Sequence, residues 1–405
     1  MQVVEPRSEA ARRPLTNASR IALVVALAHG LNDAYAAFLA PLLPRLMDRL
    51  DISIALAAVL AMTFSIAASL LQPLLGYLAD RYGRRAFLVA GPITTGVFIS
   101  LMGLAPGFWT LMLVLTLAGL GSAAFHPPGA SLSARVSEGK GSGVRISIFS
   151  FGGNAGFALG PMIAVGLVQW RGLEGLWVAM IPVVLLTPFL WRSLPADPTD
   201  RAEAHLPPPP GQVLRQLMGP LGLIFGISAF MAFAQRAFVT MVPIIVVQEG
   251  GTETAGAIVL STFLAAQAAG TLTGGYLSDR MDRQRLLIGL CALALPAHLL
   301  AVWMLPGGAW VLVAAALAGF LGMATLPPIV VMAQEIVPSG AAVSSGIVMG
   351  LAWAAGSVGV LATGAAADAI GPLLATLATM PAILFAVLLA THPALRGGAP
   401  AAEPA

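Results

Sequence analysis

Apolar runs long enough to cross a bilayer recur along almost the whole chain, separated by short polar breaks. They predict helical spans near residues 20–44, 53–79, 86–104, 108–133, 145–168, 173–194, 217–247, 255–278, 285–305, 309–334, 341–367 and 371–390. About 20 apolar residues suffice to cross the hydrocarbon core. Several of these runs are longer, which predicts tilted helices or ends that leave the membrane. One long polar interruption, residues 195–215 with prolines from Pro207 to Pro210, splits the spans into two sets of six. A proline run of this kind predicts a stiff, solvated linker. The expected organisation is a tail over 1–19, a six-helix bundle over 20–194, the linker over 195–215, a second six-helix bundle over 216–391 and a disordered tail over 392–405. The fold class is all-α and polytopic.

Composition excludes the soluble readings. Of 405 residues, 58% are hydrophobic and 10% charged, against about 25% charged in a soluble domain. A soluble chain of this length could not build a polar exterior from so few charges. The net charge of +3 does not point to nucleic acid. With the N-terminus inside, 17 of the 21 basic residues fall in inner tails and loops. Arg45, Arg49 and Arg171 fall outside, and Arg236 lies within a span. The positive-inside rule therefore places both termini in the cytoplasm. The first apolar run, from Ile21, is long enough to span and has no A-x-A cleavage site, so no removable signal peptide is expected. The single cysteine, Cys291, excludes an intramolecular disulfide and a multi-cysteine metal site. No nucleophile elbow, phosphate-binding glycine loop or metal cluster is legible, so no enzyme, cofactor or metal is expected.

The two halves repeat. GYLADRYGRR begins at Gly76 and GYLSDRMDRQ at Gly275, 199 residues later. AGLGSAAFHPP begins at Ala118 and AGFLGMATLPP at Ala318, 200 later, and Ser142-Gly143 recurs as Ser345-Gly346, 203 later. An even number of spans separates the copies, so both halves have the same orientation. Parallel six-helix repeats resemble the layout of the major facilitator superfamily, with a substrate site between the halves near the midplane. The segment from Gly76 to Arg85 resembles that superfamily's signature loop between the second and third helices. Gly76 permits close helix approach, and Gly83 belongs to the same candidate latch. Asp80, Arg81, Arg84 and Arg85 supply charges suited to a conformational latch that favours the outward-facing state. An ordinary basic loop obeying topology is the alternative. The second copy keeps Gly275, Asp279 and Arg280 but has Asp282-Arg283 in place of a Gly-Arg pair.

Few charges lie deep in the spans. Asp33 sits 12 residues past Ile21, about 18 Å along a helix. A carboxylate there costs roughly 2.5–3.5 kcal/mol on insertion scales, so it needs a partner or water. His29 lies one turn earlier and Asn32 beside it, making one polar stripe. The stripe reads as a proton site or as a structural hydrogen-bonded cluster. Arg236, with Gln235 beside it, lies at a related depth in the seventh span. It reads as an anchor for an anionic substrate or as a partner of Asp33. His126 precedes Pro127 and Pro128 in the fourth span. Consecutive prolines bend a helix, so His126 reads as a cavity residue that binds anions or relays protons, or as a hydrogen-bonded histidine at a kink. His298 reads as a packed histidine. Gly152, Gly156 and Gly160 repeat every four residues, a close-packing pattern that partly resembles the fifth-helix motif of proton-coupled drug antiporters. Asn154 in that stretch is a candidate cavity residue.

Beyond the superfamily, the chain resembles the fosmidomycin resistance protein family. His29-Gly-Leu-Asn32-Asp33, Ser69-Leu-Leu-Gln72-Pro73 and Gly119-Leu-Gly121-Ser-Ala-Ala-Phe125-His126-Pro127 carry the resemblance. So do Ser147-Ile-Phe149 with Gly152-Gly153-Asn154-Ala-Gly156, Ala333-Gln334-Glu335-Ile-Val-Pro338, and Ser345-Gly346. The resemblance implies a proton-driven exporter of a small toxic compound in a bacterial inner membrane. It directs attention to Asp33, His126 and Glu335 for the proton, and to Arg236 and Gln334 for the substrate. Two departures stand out. The family pattern often has an acid after His-Pro where this chain has Pro128, and a lysine where it has Arg236. The expected partners are a small polar or anionic molecule, protons and lipid, with no nucleic acid, and the expected state is a monomer. The site list is Asp33, His126 and Glu335 for coupling, and His29, Asn32, Asn154, Gln235, Arg236 and Gln334 for binding. A symporter or facilitator importing an organic acid, and a membrane sensor that binds without transporting, are the alternatives.

Overall fold

A computed structural model describes residues 17–136, 142–196, 215, 217–337 and 341–396. The proline run, most of the linker, most of both tails, and Arg7, Arg12, Arg13, Lys140, Arg201 and Pro338 lie outside the described residues. Twelve spans are present, as eleven long apolar helices and one bent pair. They are α1 Asn17–Leu50, α2 Ile54–Leu70 with Gln72–Tyr82, α3 Arg84–Leu104, α4 Phe108–Ser133, α5 Ile148–Arg171 and α6 Glu174–Ser193. The second half has α7 Pro220–Gln248, α8 Glu253–Ser278, α9 Arg283–Trp303, α10 Trp310–Ile336, α11 Ser344–Ile370 and α12 Pro372–Ala390. The chain is a multi-span membrane protein. In hydrocarbon every backbone polar group must be bonded internally, which apolar runs of this length achieve as helices.

Prolines explain the departures from straight spans. α2 bends by 43° at Leu71, where Pro73 opens the second segment and cannot donate a helical hydrogen bond. α1 is interrupted between Ala36 and Leu39; Pro41 offers no donor to the carbonyl of Ala37 four residues back. Beyond that break α1 continues to Leu50, further than the predicted end at 44.

The repeat of the sequence is also a repeat of contacts. A β-carbon on Gly119 of α4 would lie 2.8 Å from the Phe64 carbonyl of α2, and one on Gly319 of α10 would lie 2.2 Å from the Phe263 carbonyl of α8. A β-carbon on Gly156 of α5 would lie 2.1 Å from the Gly30 carbonyl of α1, and one on Gly356 of α11 would lie 2.8 Å from the Ala229 carbonyl of α7. Side-chain-free positions therefore bring equivalent helix pairs to backbone contact in both halves. The architecture is two six-helix parallel repeats.

Polar contacts join the halves at one end. Arg45 pairs with Glu253 at 2.6 Å, Gln169 donates to Thr254 at 2.8 Å, and Asp368 accepts from the Ile54 and Ala55 amides at 2.8 and 3.2 Å. The last contact caps the orphan donors at the start of α2. The signature loop occupies the opposite end.

Candidate functional site

A cavity of about 410 Å³ lies between the halves. Its walls come from α1, α2, α4 and α5 on one side and α7, α8, α10 and α11 on the other. Both prominent charges of the spans reach it: Asp33 from the first half and Arg236 from the second.

Asp33 is buried and held on every side. His29, one turn earlier on α1, places Nε2 3.1 Å from Oδ2. His126 of α4 places Nε2 3.4 Å from Oδ1. Asn32 Nδ2 donates to Oδ1 at 2.9 Å and lies 3.2 Å from Ser122 Oγ. Thr95 Oγ1 of α3 lies 2.9 Å from Asn32 Oδ1 as its donor. The two imidazoles are fixed from behind. His29 Nδ1 meets the Phe149 carbonyl at 3.0 Å, and its ring stacks on Phe149 with centroids 4.2 Å apart. His126 Nδ1 meets the Ser122 carbonyl at 2.8 Å. α5 fits against this group because Gly153 has no side chain. A β-carbon there would lie 2.5 Å from His29 Nε2 and 2.8 Å from Asp33 Oδ2.

On the opposite wall the Arg236 guanidinium lies over the Trp353 indole, 5.1 Å from the ring centroid. That geometry suits a cation–π contact. Arg236 makes no ion pair among the described residues, and Asp33 is occupied by the histidines. The Asp33–Arg236 pair that the sequence left open is therefore not formed here. Ser65 of α2 and Ser357 of α11 face each other across the cavity at 2.6 Å, a hydroxyl contact between the halves.

The structure gathers His29, Asp33, His126, Asn154 and Arg236 at the cavity. It does not bring the rest there. Asn32 lies behind Asp33, fully buried. Gln235 is buried and accepts from Gln267 at 2.8 Å. Gln334 donates to Ser345 at 2.9 Å. Glu335 pairs with Arg283 at 2.6 Å, where α10 ends and α9 begins. His298 is packed, with Nδ1 2.7 Å from the Ala294 carbonyl.

At the signature loop, Gly83 adopts φ 123°, a conformation that only glycine reaches without strain. Asp80 pairs with Arg84 one turn on. Arg85 donates to the Trp191 carbonyl and lies over its ring at 4.6 Å. Arg81 lies near the Tyr82 ring. Gly76 lets α2 approach Pro127. In the second copy, Asp279 and Arg280 are exposed, with Arg280 over Tyr276 at 3.7 Å.

Thr95, Ser122 and Trp353 were missed by sequence reasoning. Trp353, Ser357 and Val360 all line the cavity at helical i, i+4, i+7 spacing, a stripe that the sequence does display.

Residues 25–344 match the family model of the Major Facilitator Superfamily. The fosmidomycin resistance protein of Escherichia coli (strain K12) is 30% identical over 355 residues, covering 85% of each chain. An uncharacterized MFS-type transporter of Bacillus subtilis (strain 168), YfnC, is 28% identical over 98% of this chain and 99% of its own. Among solved structures, a bacterial homologue of the human lysosomal transporter Spinster, in an inward-facing and occupied conformation, superposes with a TM-score of 0.77. That pair shares 17% identity and covers 95% of this chain and 97% of the other. The chain belongs to the major facilitator superfamily. It is a membrane transporter with the two-repeat fold of that family, and not an enzyme.

Proposed function

We propose that this transporter exports a small polar or anionic compound in exchange for protons. One observation carries the reading: a buried carboxylate clasped by two histidines on one wall of the central cavity, and an arginine without a carboxylate partner on the other. The first group suits proton exchange, the second an anion. The similarity to a fosmidomycin resistance protein supports efflux of a compound of that kind.

The remaining assignments belong to the same proposal. The chain acts as a monomer in a bacterial inner membrane with both termini cytoplasmic, following the 17 basic residues on one side. The end clamped by Arg45 and Glu253 is then periplasmic, and we take the clamped form to be the one that faces the cytoplasm. The substrate enters from that side and meets Arg236, Asn154 and His126. Protons reach the Asp33 group in the outward form. Asp80 and Arg84, paired with each other here, are free to latch the inner gate when it closes.

Proteoliposomes loaded with fosmidomycin test the reading. An inward proton gradient is expected to drive its release, and Asp33→Asn is expected to uncouple release from the gradient. Unchanged gradient dependence in Asp33→Asn would sink the coupling role. Uptake driven by a parallel proton gradient would make the protein an importer of such compounds.

A further inference from the structure

Both cavity histidines commit the same nitrogen to the backbone. Nδ1 of His29 lies 3.0 Å from the Phe149 carbonyl oxygen, and Nδ1 of His126 lies 2.8 Å from the Ser122 carbonyl oxygen. A carbonyl oxygen only accepts, so each Nδ1 carries the hydrogen and donates it. In a neutral ring the other nitrogen is then a bare lone pair. Yet each Nε2 is turned onto an oxygen of Asp33, at 3.1 Å for His29 and 3.4 Å for His126. Two lone pairs at that range repel, and a proton held at each contact turns the repulsion into attraction. The contacts use different oxygens, Oδ2 for His29 and Oδ1 for His126. One proton cannot serve both.

We infer that His29, Asp33 and His126 form a two-proton store, holding one exchangeable proton in each Nε2···O contact in the form described. The inference deepens the proton-exchange reading above. A cycle that emptied the store would move two protons. Among the described residues lining the cavity there is no second acid. α3 contributes Thr95, α4 contributes Ser122, and α5 contributes the Phe149 carbonyl, Gly153 and Asn154. Among the described residues lining the cavity, Arg236 of α7 is the one other charged group.

The two contacts are not equivalent. The His126 side chain is 28% exposed and holds the longer contact, while His29 is 12% exposed and stacked on Phe149. His126 Nε2–H is therefore the first to pass its proton to cavity water, and His29 the second. Asp33 stays as the anion that draws both protons back.

Full-length protein with 15N-labelled histidine rings and 13C-labelled aspartate, reconstituted in nanodiscs without ligand, counts the protons directly. His29→Gln and His126→Gln assign the resonances. Near neutral pH the expected spectrum shows both rings protonated at both nitrogens beside an ionised Asp33, or one such ring beside a protonated Asp33. Either arrangement holds two protons. In Asp33→Asn the amide supplies the hydrogen of one contact, so at most one ring is expected to stay doubly protonated. An ionised Asp33 with only one doubly protonated ring, or two neutral rings beside either form of the acid, would overturn the inference. So would stoichiometric zinc in the purified wild-type protein that is lost in both glutamine variants, since a metal ion would then fill the contacts. In proteoliposomes the proton-to-fosmidomycin ratio, read from the gradient at which flux vanishes, is expected to fall from two to one in His126→Gln, whose amide fills the contact without titrating. Absence of fosmidomycin flux counts against the transport reading and leaves the spectroscopic count to stand alone.

Discussion

Gly153→Ala is the most discriminating single-atom perturbation of the site. The added methyl group would sit 2.5 Å from both Cε1 and Nε2 of His29 and 2.8 Å from Asp33 Oδ2. Ordinary contact begins near 3.4 Å, so the ring or the helix must shift by about 1 Å. Neither moves freely. His29 is tied through Nδ1 to Phe149 of the same α5 helix, and α5 is seated on α1 through Gly152 and Gly156, whose β-carbons would lie 2.2 and 2.1 Å from the Ala26 and Gly30 carbonyls. Overpacking of this kind costs roughly 1–3 kcal/mol. Loosening a charge-assisted bond to Asp33 adds a loss on the order of 1.5–3 kcal/mol if the bond breaks outright. Gly166→Ala on the same helix is the control. Its β-carbon would meet nothing within 4 Å, and alanine gains up to about 1 kcal/mol over glycine in a helix. The assay compares thermal unfolding in detergent with the 15N shifts of the His29 ring. Gly153→Ala is expected to melt several degrees lower and to move the His29 resonances; Gly166→Ala is expected to do neither. Identical melting and identical His29 spectra in the two variants would refute the packing argument for this wall.

Three further perturbations probe the rest of the cavity. Arg236→Gln removes the unpaired cation and is expected to weaken binding of fosmidomycin tenfold or more, since a charged hydrogen bond contributes about 1.5–3 kcal/mol; wild-type affinity would exclude Arg236 from recognition. Trp353→Leu removes the aromatic face under the guanidinium, worth about 0.5–2 kcal/mol, and is expected to weaken the same binding by a smaller factor. If it exceeds the effect of Arg236→Gln, the ring contacts the ligand itself. Arg45→Gln breaks a partly exposed pair worth at most about 1 kcal/mol, so the closed end should open two- to fivefold more often. Thiol labelling at Ala40→Cys, in a Cys291→Ser background, reads this opening; an unchanged labelling rate would show that the pair does not gate.

Much of this was legible because membrane helices reveal themselves by length alone. The twelve spans and their repeat follow from apolar runs and from motifs about 200 residues apart. Asp33, His126 and Arg236 were findable because a charge or histidine deep in a span has few reasons to be there. What the sequence could not supply is partnership. Asp33 and Arg236 lie at equivalent positions in the repeat, which suggested an ion pair, but each meets a different neighbour across a packed interface. Thr95 and Ser122 support Asn32 from 63 and 90 residues away, a relation that no local pattern encodes. Glu335 stood beside Gln334 in a stretch that carries the family resemblance, and neither reaches the cavity. Glu335 instead pairs with Arg283 at a helix end, where a half-exposed carboxylate needs no special surroundings.

The repeat also explains why the site is lopsided. Asn32 of the first half corresponds, at a spacing of 203, to Gln235 of the second, which lies with His298 beside Gly322, the match of Ser122 at the spacing of 200. There the surroundings are aromatic. His298 is enclosed by Phe238 and Phe263, its Nε2 has no hydrogen-bond partner, and Thr325 bonds only its own helix at the Gly322 carbonyl. Among the described residues only the first half builds a hydrogen-bonded polar cluster, attaches a carboxylate to it and opens it to the cavity. The second half presents Arg236 instead, at the position that matches Asp33 at the same spacing. In the proposed mechanism the proton-exchanging groups thus ride on one half and the anion-recognising group on the other. Rocking one body against the other must change the distance between them, and with it the energy of holding a proton and an anion together. A transporter that placed both functions in one half would lack that lever, because rigid-body motion leaves distances within a body unchanged.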